Sequence, residues 1–519
     1  MNGPTHPQPQ RHVIGIDLGT SGVRAVRIDR NGTVIAASSA AYPLLLPKRG
    51  WVEQDPEAWW AATREVLATV LRADSGPIAA IGIAGQMHGS VFLDDDGRSI
   101  RPALLWNDQR TTQALLEIEA RIGADRLREI TGNVALTGFQ APKILWLRAT
   151  EPERYRRIAA IVLPKDYVRY RLTGTLGTDV SDASGTLLLD IRTRDWSAPI
   201  LQALDIPRSW LPPVAESQVV TAVVSSTGAR ETGLPSGTPV VAGAGDNAAA
   251  AIATGVVRAG SAAISLGTSG VVLAHEDRLR IDPSGALHAF CAAVPGAYHL
   301  MGVMLSAGGS LGWLRETVAP GSTYEELTSE ASAIAPGSEG LTFLPYLSGE
   351  RTPHMDPHAS GAFVGLRLTH GRAHLTRAVL EGVAYGLTSC VERMRGLGVD
   401  PVEFIATGNG LSGDLWRSIV AAAVDRPLRE LQVDEGPAFG AALLAAVGGG
   451  EFASIEAAVE AAVRPPPEGL APSPDLVRAY RSGYDVYTRL YPAIRSVLEP
   501  SGLDSDGEGL VNGDPMSKR

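Results

Sequence analysis

Short apolar runs and polar breaks alternate along the first hundred residues. His12 to Asp17 is an apolar run ending in a glycine turn, and Gly22 to Asp29 and Thr33 to Tyr42 follow as β-rich stretches, a spacing that predicts an early β-meander. Asp55 to Leu71 changes to helical spacing: Asp55 caps before Pro56, and Trp59, Trp60, Ala61, Val66, Leu67 and Val70 supply the apolar positions. Ile78 to Ala84 reads as a buried strand leading into Gly85. Alanine-rich helices are predicted at Leu375 to Arg395, Asp414 to Val424 and Ala438 to Val447, with strands between them, so the class is α/β.

The pattern also repeats. Asp17-Leu-Gly-Thr-Ser-Gly22 recurs as Ser265-Leu-Gly-Thr-Ser-Gly270, each preceded and followed by an apolar run, which reads as a duplicated β-hairpin in two related domains. Length agrees, because 519 residues exceed one ordinary core. The expected division is an N-terminal domain over 12–256 and a C-terminal domain over 257–497. Flanking extensions at 1–11 and 498–519, rich in Pro or in Gly, Ser and Asp, are expected to be disordered.

Composition narrows the function classes. A formal charge of −10 without a basic block disfavours nucleic acid as a partner. No apolar run approaches membrane-spanning length, and Met1 to Arg11 lacks the apolar segment of a secretory signal, so cytoplasmic residence without a membrane partner is expected. Cys291 and Cys390 sit in apolar contexts and read as buried, reduced thiols.

Candidate chemistry gathers at strand ends. Tight Gly-Thr-Ser-Gly turns present backbone N–H groups and hydroxyls to phosphate oxygens, although neither turn is a Walker loop. Asp17, at the end of a buried strand, suits Mg²⁺ held through water beside those phosphates. Asp246 and Asn247 follow the apolar strand Pro239 to Ala242, and a carboxylate there can orient an alcohol and accept its proton. Gly85-Gln-Met-His-Gly89 joins an imidazole to a soft apolar side chain, while Trp106, followed by Asn107 and Asp108, offers a flat face with polar neighbours, as sugar carbons and hydroxyls need. Thr407-Gly-Asn-Gly410 is a further glycine turn between a strand and a helix.

In this order the motifs resemble the FGGY carbohydrate kinases. The likeness runs from about Val13 to Pro492 and includes Ile14 to Val23, Gly82 to Gly89, Leu105 to Asp108, Leu163 to Tyr167, Val240 to Ala249, Ser265 to Val271, Phe343 to His354 and Ala378 to Val383. The resemblance implies two actin-like, ribonuclease-H-like domains around a cleft, with sugar on the N-terminal side and ATP on the C-terminal side. It implies ATP and Mg²⁺ as cofactors and D-xylulose as the acceptor, with another ketose, a polyol or an aldonate as the alternative, and a homodimer is left open. It implies Asp246 as catalytic base, Asp17 near Mg²⁺ and phosphate, and sugar contacts from Met87, His88, Trp106, Asp108 and Asn247. Thr20 and Ser21 stand in the first phosphate turn, Gly267, Thr268 and Ser269 in the second, and Gly408, Asn409 and Gly410 in the nucleotide turn. Asn409 replaces the middle one of the family's usual three glycines, and is expected to adopt the left-handed backbone that Asn tolerates. Gln140 departs from the family's small hydroxyl residue. Glu350 and Arg351 are read as a structural ion pair. A sugar sensor without turnover would most simply have lost Asp17 or Asp246, and a protein-remodelling ATPase would not need the Met87, His88 and Trp106 pocket.

Overall fold

The computed structural model describes residues 11–431, 435–464 and 469–498. Apart from Arg11 and Leu498, the terminal extensions expected to be disordered lie outside these residues.

Two sheets form the scaffold, and they share one wiring. In the first, strands lie in the order Val220–Val223, Pro239–Val241, Ile78–Gly85, His12–Leu18, Gly22–Ile28, Val34–Ala41, with Ala244–Gly245 also pairing with Ile78–Gly85. In the second, the order is His288–Cys291, Tyr298–Met304, Gly270–Glu276, Ser261–Leu266, Glu403–Thr407, Leu428–Glu430. Each sheet is built on an antiparallel hairpin closed by a Gly-Thr-Ser-Gly turn, extended by a third antiparallel strand on one side and a parallel strand on the other. The six-residue repeat therefore marks a duplicated fold. The three-strand β-meander over the first forty residues is present as expected.

Helix Pro56–Arg72 covers the first sheet. Asp55 caps it by accepting from the Glu57 amide, and Trp59, Trp60, Val66, Leu67 and Val70 are buried. Ala61 is exposed; its neighbours Ala62 and Thr63 face inward instead, because the two adjacent tryptophans already fix which stripe of the helix meets the sheet.

A second helix, Gly436–Gly448, ties the halves together. It falls within the stretch expected to be the C-terminal domain, yet it packs on the central strands of the first sheet and on helix Asp246–Ala253. The approach is backbone to backbone. A Cβ on Gly15 would stand 1.9 Å from the Ala438 carbonyl oxygen, one on Gly82 2.0 Å from that of Ala441, and one on Gly440 1.9 Å from that of Ala249. Any larger residue at these positions would force the helix off the sheet. Helix Arg372–Gly396, buried along most of its length, packs on strands Gly270–Glu276 and Tyr298–Met304 of the second sheet, the counterparts of the strands that helix Pro56–Arg72 covers in the first. Cys291 and Cys390 are both buried and free.

Candidate active site

Strand register brings three loops to one edge of the first sheet. Asp17 pairs with Ala84 and Leu18 with Gly85, while Ala244 and Gly245 pair with Ala84 and Gly85 from the other side. Asp17, Gln86-Met87-His88 and Asp246-Asn247 therefore emerge together at the carboxyl ends of parallel strands.

The two acids have different surroundings. Asp246 opens helix Asp246–Ala253, and its Oδ1 accepts from the Asn247 amide at 2.7 Å and from Asn247 Nδ2 at 2.9 Å. Among the described residues, Oδ2 has no partner and is free to accept a proton. Burial pushes this carboxyl up to about 6, and the two Asn247 bonds hold it back from going higher. Asp17 is pushed up to about 7, first by burial and then by the negative charge of Asp246, and its buried Oδ1 has no hydrogen-bond partner. A buried, unsatisfied carboxylate oxygen beside a second acid fits a hydrated divalent cation, which would pull both groups back toward the ionised form.

Behind Asp246 lies a buried polar cluster that sequence reading missed. The Gly245 amide donates to Ser181 Oγ at 3.1 Å, and Ser181 Oγ donates to Asp179 Oδ2 at 2.5 Å. Lys165 Nζ lies 2.5 Å from Asp166, 3.1 Å from Asp179 and 3.6 Å from Asp182. The three carboxylates raise the Lys165 ammonium, while burial outweighs Lys165 in raising Asp182 well above the usual carboxylate range. Lys165 and Asp166 stood in the Leu163 to Tyr167 motif; Asp179, Ser181 and Asp182 carried no signal.

Met87 and His88 form the wall beside Asn247, whose Nδ2 lies 3.9 Å from Met87 Sδ. Glycines make room for them. A Cβ on Gly185 would stand 2.7 Å from His88 Nδ1, and one on Gly245 2.8 Å from the Met87 side chain. His88 adopts a left-handed backbone with φ +69°, held by Lys143 Nζ, which donates to its carbonyl at 3.0 Å. Since Nδ1 lies 2.6 Å from the Gly185 carbonyl oxygen, which can only accept, Nδ1 carries the proton and Nε2 is a free acceptor. Burial lowers the imidazole to about 3, so it is neutral. Phe139, and His288 and Phe290 from the second sheet, complete an aromatic cluster around it, with ring centroids 4.7 Å (His88 to Phe139) and 5.9 Å (His88 to Phe290) apart. His288 and Phe290 were not foreseen, because nothing in the sequence shows that this edge strand reaches across to the first half. Gln140 donates to the Gly89 carbonyl at 3.1 Å and so steadies the same loop.

Trp106 is partly exposed and donates through Nε1 to Thr20 Oγ1 at 3.0 Å. Thr20 also donates to Gln86 Oε1 at 3.3 Å, and Gln86 Nε2 reaches Gln54 Oε1 at 3.0 Å. Asp108, expected to touch the sugar, is instead fully buried. Its oxygens accept from the Val52 amide at 2.7 Å and from the Arg110 guanidinium at 2.7–2.9 Å, so it anchors the Trp106 loop with no lone pair left facing the cleft.

Both Gly-Thr-Ser turns are built to receive anions. The amides of Thr20, Ser21, Thr268 and Ser269 donate to no group among the described residues, while the carbonyls of Gly267 and Thr268 accept from Ala307, Gly308 and Gly309 at the start of helix Gly308–Val318. In the Gly408–Gly410 turn the glycines are needed at the ends. Gly408 has φ +84°, with a Cβ position 2.7 Å from the Leu266 carbonyl oxygen, and a Cβ on Gly410 would stand 2.1 Å from the Leu266 side chain. Asn409 is exposed and starts a short 3₁₀ turn, not the expected left-handed conformation, so a side chain costs nothing there. The expected Glu350–Arg351 ion pair is absent: the Glu350 carboxylate accepts from the Leu305 amide at 3.0 Å and from the backbone amide of Arg351 at 2.8 Å.

Comparison with known proteins agrees with this arrangement. Residues 12–253 match the N-terminal domain of the FGGY family of carbohydrate kinases, and residues 262–449 match the family's C-terminal domain. A curated xylulose kinase of Bacillus subtilis (strain 168) is 40% identical over 486 residues, covering 93% of this chain and 97% of the relative. The crystal structure of xylulose kinase from Rhodospirillum rubrum superposes with a TM-score of 0.89 at 32% identity, over 94% of this chain and 100% of that one. That of gluconate kinase from Lactobacillus acidophilus gives 0.89 at 28% identity, over 93% and 98%. The duplicated sheets, the two acids at one sheet edge and the matched domains lead to one statement: the chain belongs to the FGGY family of carbohydrate kinases.

Proposed function

We propose that this enzyme transfers the γ-phosphoryl group of ATP to the C5 hydroxyl of D-xylulose, giving ADP and D-xylulose 5-phosphate. The observation that carries the reaction type is the free Oδ2 of Asp246, whose other oxygen is held by Asn247, at the same sheet edge as Asp17. The acceptor hydroxyl gives its proton to this oxygen as its own oxygen bonds to phosphorus and the bond to the leaving ADP breaks. Asp17 would hold a hydrated Mg²⁺, which supplies positive charge beside the phosphates. The amides of Thr20 and Ser21 face the transferred group, those of Thr268 and Ser269 hold the remaining phosphates, and the Gly408–Gly410 turn lies under the nucleoside.

Substrate identity rests on the sugar wall and on likeness. Met87 offers an apolar surface, His88 Nε2 one acceptor, Asn247 an amide and Trp106 a flat face, which together suit a chain of several carbons better than a short triol. The Bacillus subtilis and Rhodospirillum rubrum xylulose kinases, at 40% and 32% identity, are more similar in sequence than the gluconate kinase at 28%, although the Rhodospirillum rubrum enzyme and the gluconate kinase superpose equally well. Closure of the halves on the sugar would exclude water and align the hydroxyl. Steady-state kinetics with D-xylulose, D-ribulose, L-ribulose, gluconate and glycerol test the reading: kcat/KM is expected to be highest for D-xylulose. A higher value for any of the others overturns the substrate and leaves the kinase intact.

A further inference from the structure

Arg351 is left over from the chemistry described so far. It belongs to the second half, in the Phe343 to His354 motif, and its backbone is held on both sides. Glu350 and Asp356 exchange backbone hydrogen bonds of 2.9 Å, the Thr352 amide donates to the Val303 carbonyl at 2.9 Å, and Thr352 Oγ1 donates to the Ala286 carbonyl at 2.6 Å. A rigid segment therefore presents the side chain.

The guanidinium, however, makes no hydrogen bond or ion pair with any described residue. Its sequence neighbour Glu350 spends one oxygen on backbone amides and keeps the other buried without a partner. An arginine carries several N–H donors in a fixed fork, and leaving them unmet in a half-buried place is costly unless a ligand meets them. Arg351 Nη2 lies 3.9 Å from the position of a Cβ on Gly138, a point 2.5 Å from the carbonyl oxygen of Trp106. The same charge is near enough to help keep two rings neutral, next after burial at His288 and after burial and Lys143 at His88. The side chain thus reaches from the second half to the Trp106 and His88 side of the sugar pocket, whereas Asp17 and Asp246 do not feel it among their dominant influences.

The local chemistry then determines what it meets. His88 Nε2 is an acceptor and takes a sugar hydroxyl as donor. A keto oxygen can only accept, and the other cation near this wall among the described residues, Lys143, is spent on the carbonyls of His88, Gly138 and Phe139. Resting on the ketose reading above, we propose that Arg351 is a specificity residue that donates to the keto oxygen of the acceptor, so that a ketose, but not the corresponding polyol, bridges the two halves.

The test is kinetic, with D-xylulose and its reduced form xylitol, on the wild type, Arg351→Ala, Arg351→Met and Arg351→Lys. Loss of a hydrogen bond from a charged donor is expected to raise the KM for D-xylulose about tenfold or more in Arg351→Ala and Arg351→Met, and to lower the preference for D-xylulose over xylitol by a similar factor. Arg351→Lys, which keeps a donor, should recover part of both. The KM for ATP and the rate of sugar-independent ATP hydrolysis should be unchanged, a pattern that a merely structural role would not give. Arg351→Met preserves the apolar stem and serves if the alanine variant does not fold. An unchanged KM for D-xylulose, or an equal loss with both acceptors, overturns the proposal. Failure of the ketose reading itself shows separately, in a wild type that prefers another acceptor.

Discussion

The Gly19-Thr20-Ser21 and Gly267-Thr268-Ser269 turns have the same residues, the same hairpin and the same neighbouring parallel strand, yet their surroundings have diverged. Ahead of the first stands Asp17, with an unsatisfied buried oxygen; ahead of the second, at the equivalent position, stands Ser265. The first is wired through Thr20 to Trp106, Gln86 and Gln54, on the sugar side. The second is backed by the glycine-rich start of helix Gly308–Val318 and touches no such network. The parallel strands extend the comparison: Ala84-Gly85 lead into Met87 and His88, while Thr407, paired with Ser265, leads into Gly408–Gly410. Duplication supplied two equal anion cradles. Side chains at their edges have set them apart, the first beside Asp17 and Asp246 and the second beside the Gly408–Gly410 turn.

The sharpest way to break this comparison is at the base. Asp246→Asn keeps the helix start and the amide-type bonding but cannot accept a proton, so kcat is expected to fall by about 10²- to 10⁴-fold with D-xylulose binding retained, measured by steady-state kinetics and calorimetry. Asp17→Ala should cost about 10²-fold in kcat and flatten the Mg²⁺ dependence, while Ser265→Ala at the matching place should leave that dependence as it is. Identical Mg²⁺ titrations of wild type and Asp17→Ala would remove the asymmetry between the turns.

Two smaller effects sharpen it. With its carboxyl raised to about 6, Asp246 is ionised above that pH and protonated below it, so kcat/KM should lose about tenfold per unit as pH falls from about 6, and a pH-rate profile checks this. Bound Mg²⁺ should move this acid limb to lower pH, and a profile with no acid limb, or one that Mg²⁺ does not move, would show that the base is not Asp246 in this environment. On the nucleotide side, Gly408→Ala puts a side chain where φ is +84° and Leu266 is in the way, so the KM for ATP should rise about tenfold with the sugar KM unchanged. Asn409→Gly, by contrast, should change neither KM by more than about twofold, because position 409 needs no glycine.

Strand pattern and repeat were legible because they are local: the meander, the capped helix at Pro56 and the two turns each declare themselves within a few residues. Asp17, Asp246, Asn247, Met87 and His88 were legible as a group because each lies at a strand end or within three residues of one. What stayed hidden depends on contacts between distant segments. Nothing local says that Asp108 turns inward to Arg110, that Gly436–Gly448 crosses to the first sheet, or that His288 and Phe290 reach the sugar wall. The Glu350–Arg351 pairing failed for a related reason. The Glu350 carboxylate is turned to the Leu305 and Arg351 backbone amides, contacts that an acid and a base next to each other in sequence do not reveal.

Phosphorus and carbon NMR of a reaction holding the enzyme, D-xylulose, Mg²⁺ and limiting ATP tests the central claim most directly. The account predicts one ADP for each phosphate ester formed, with the ester on C5 of D-xylulose and only slow ADP release when the sugar is omitted. ADP and inorganic phosphate released at full rate without an ester, or an ester on another carbon, would contradict it.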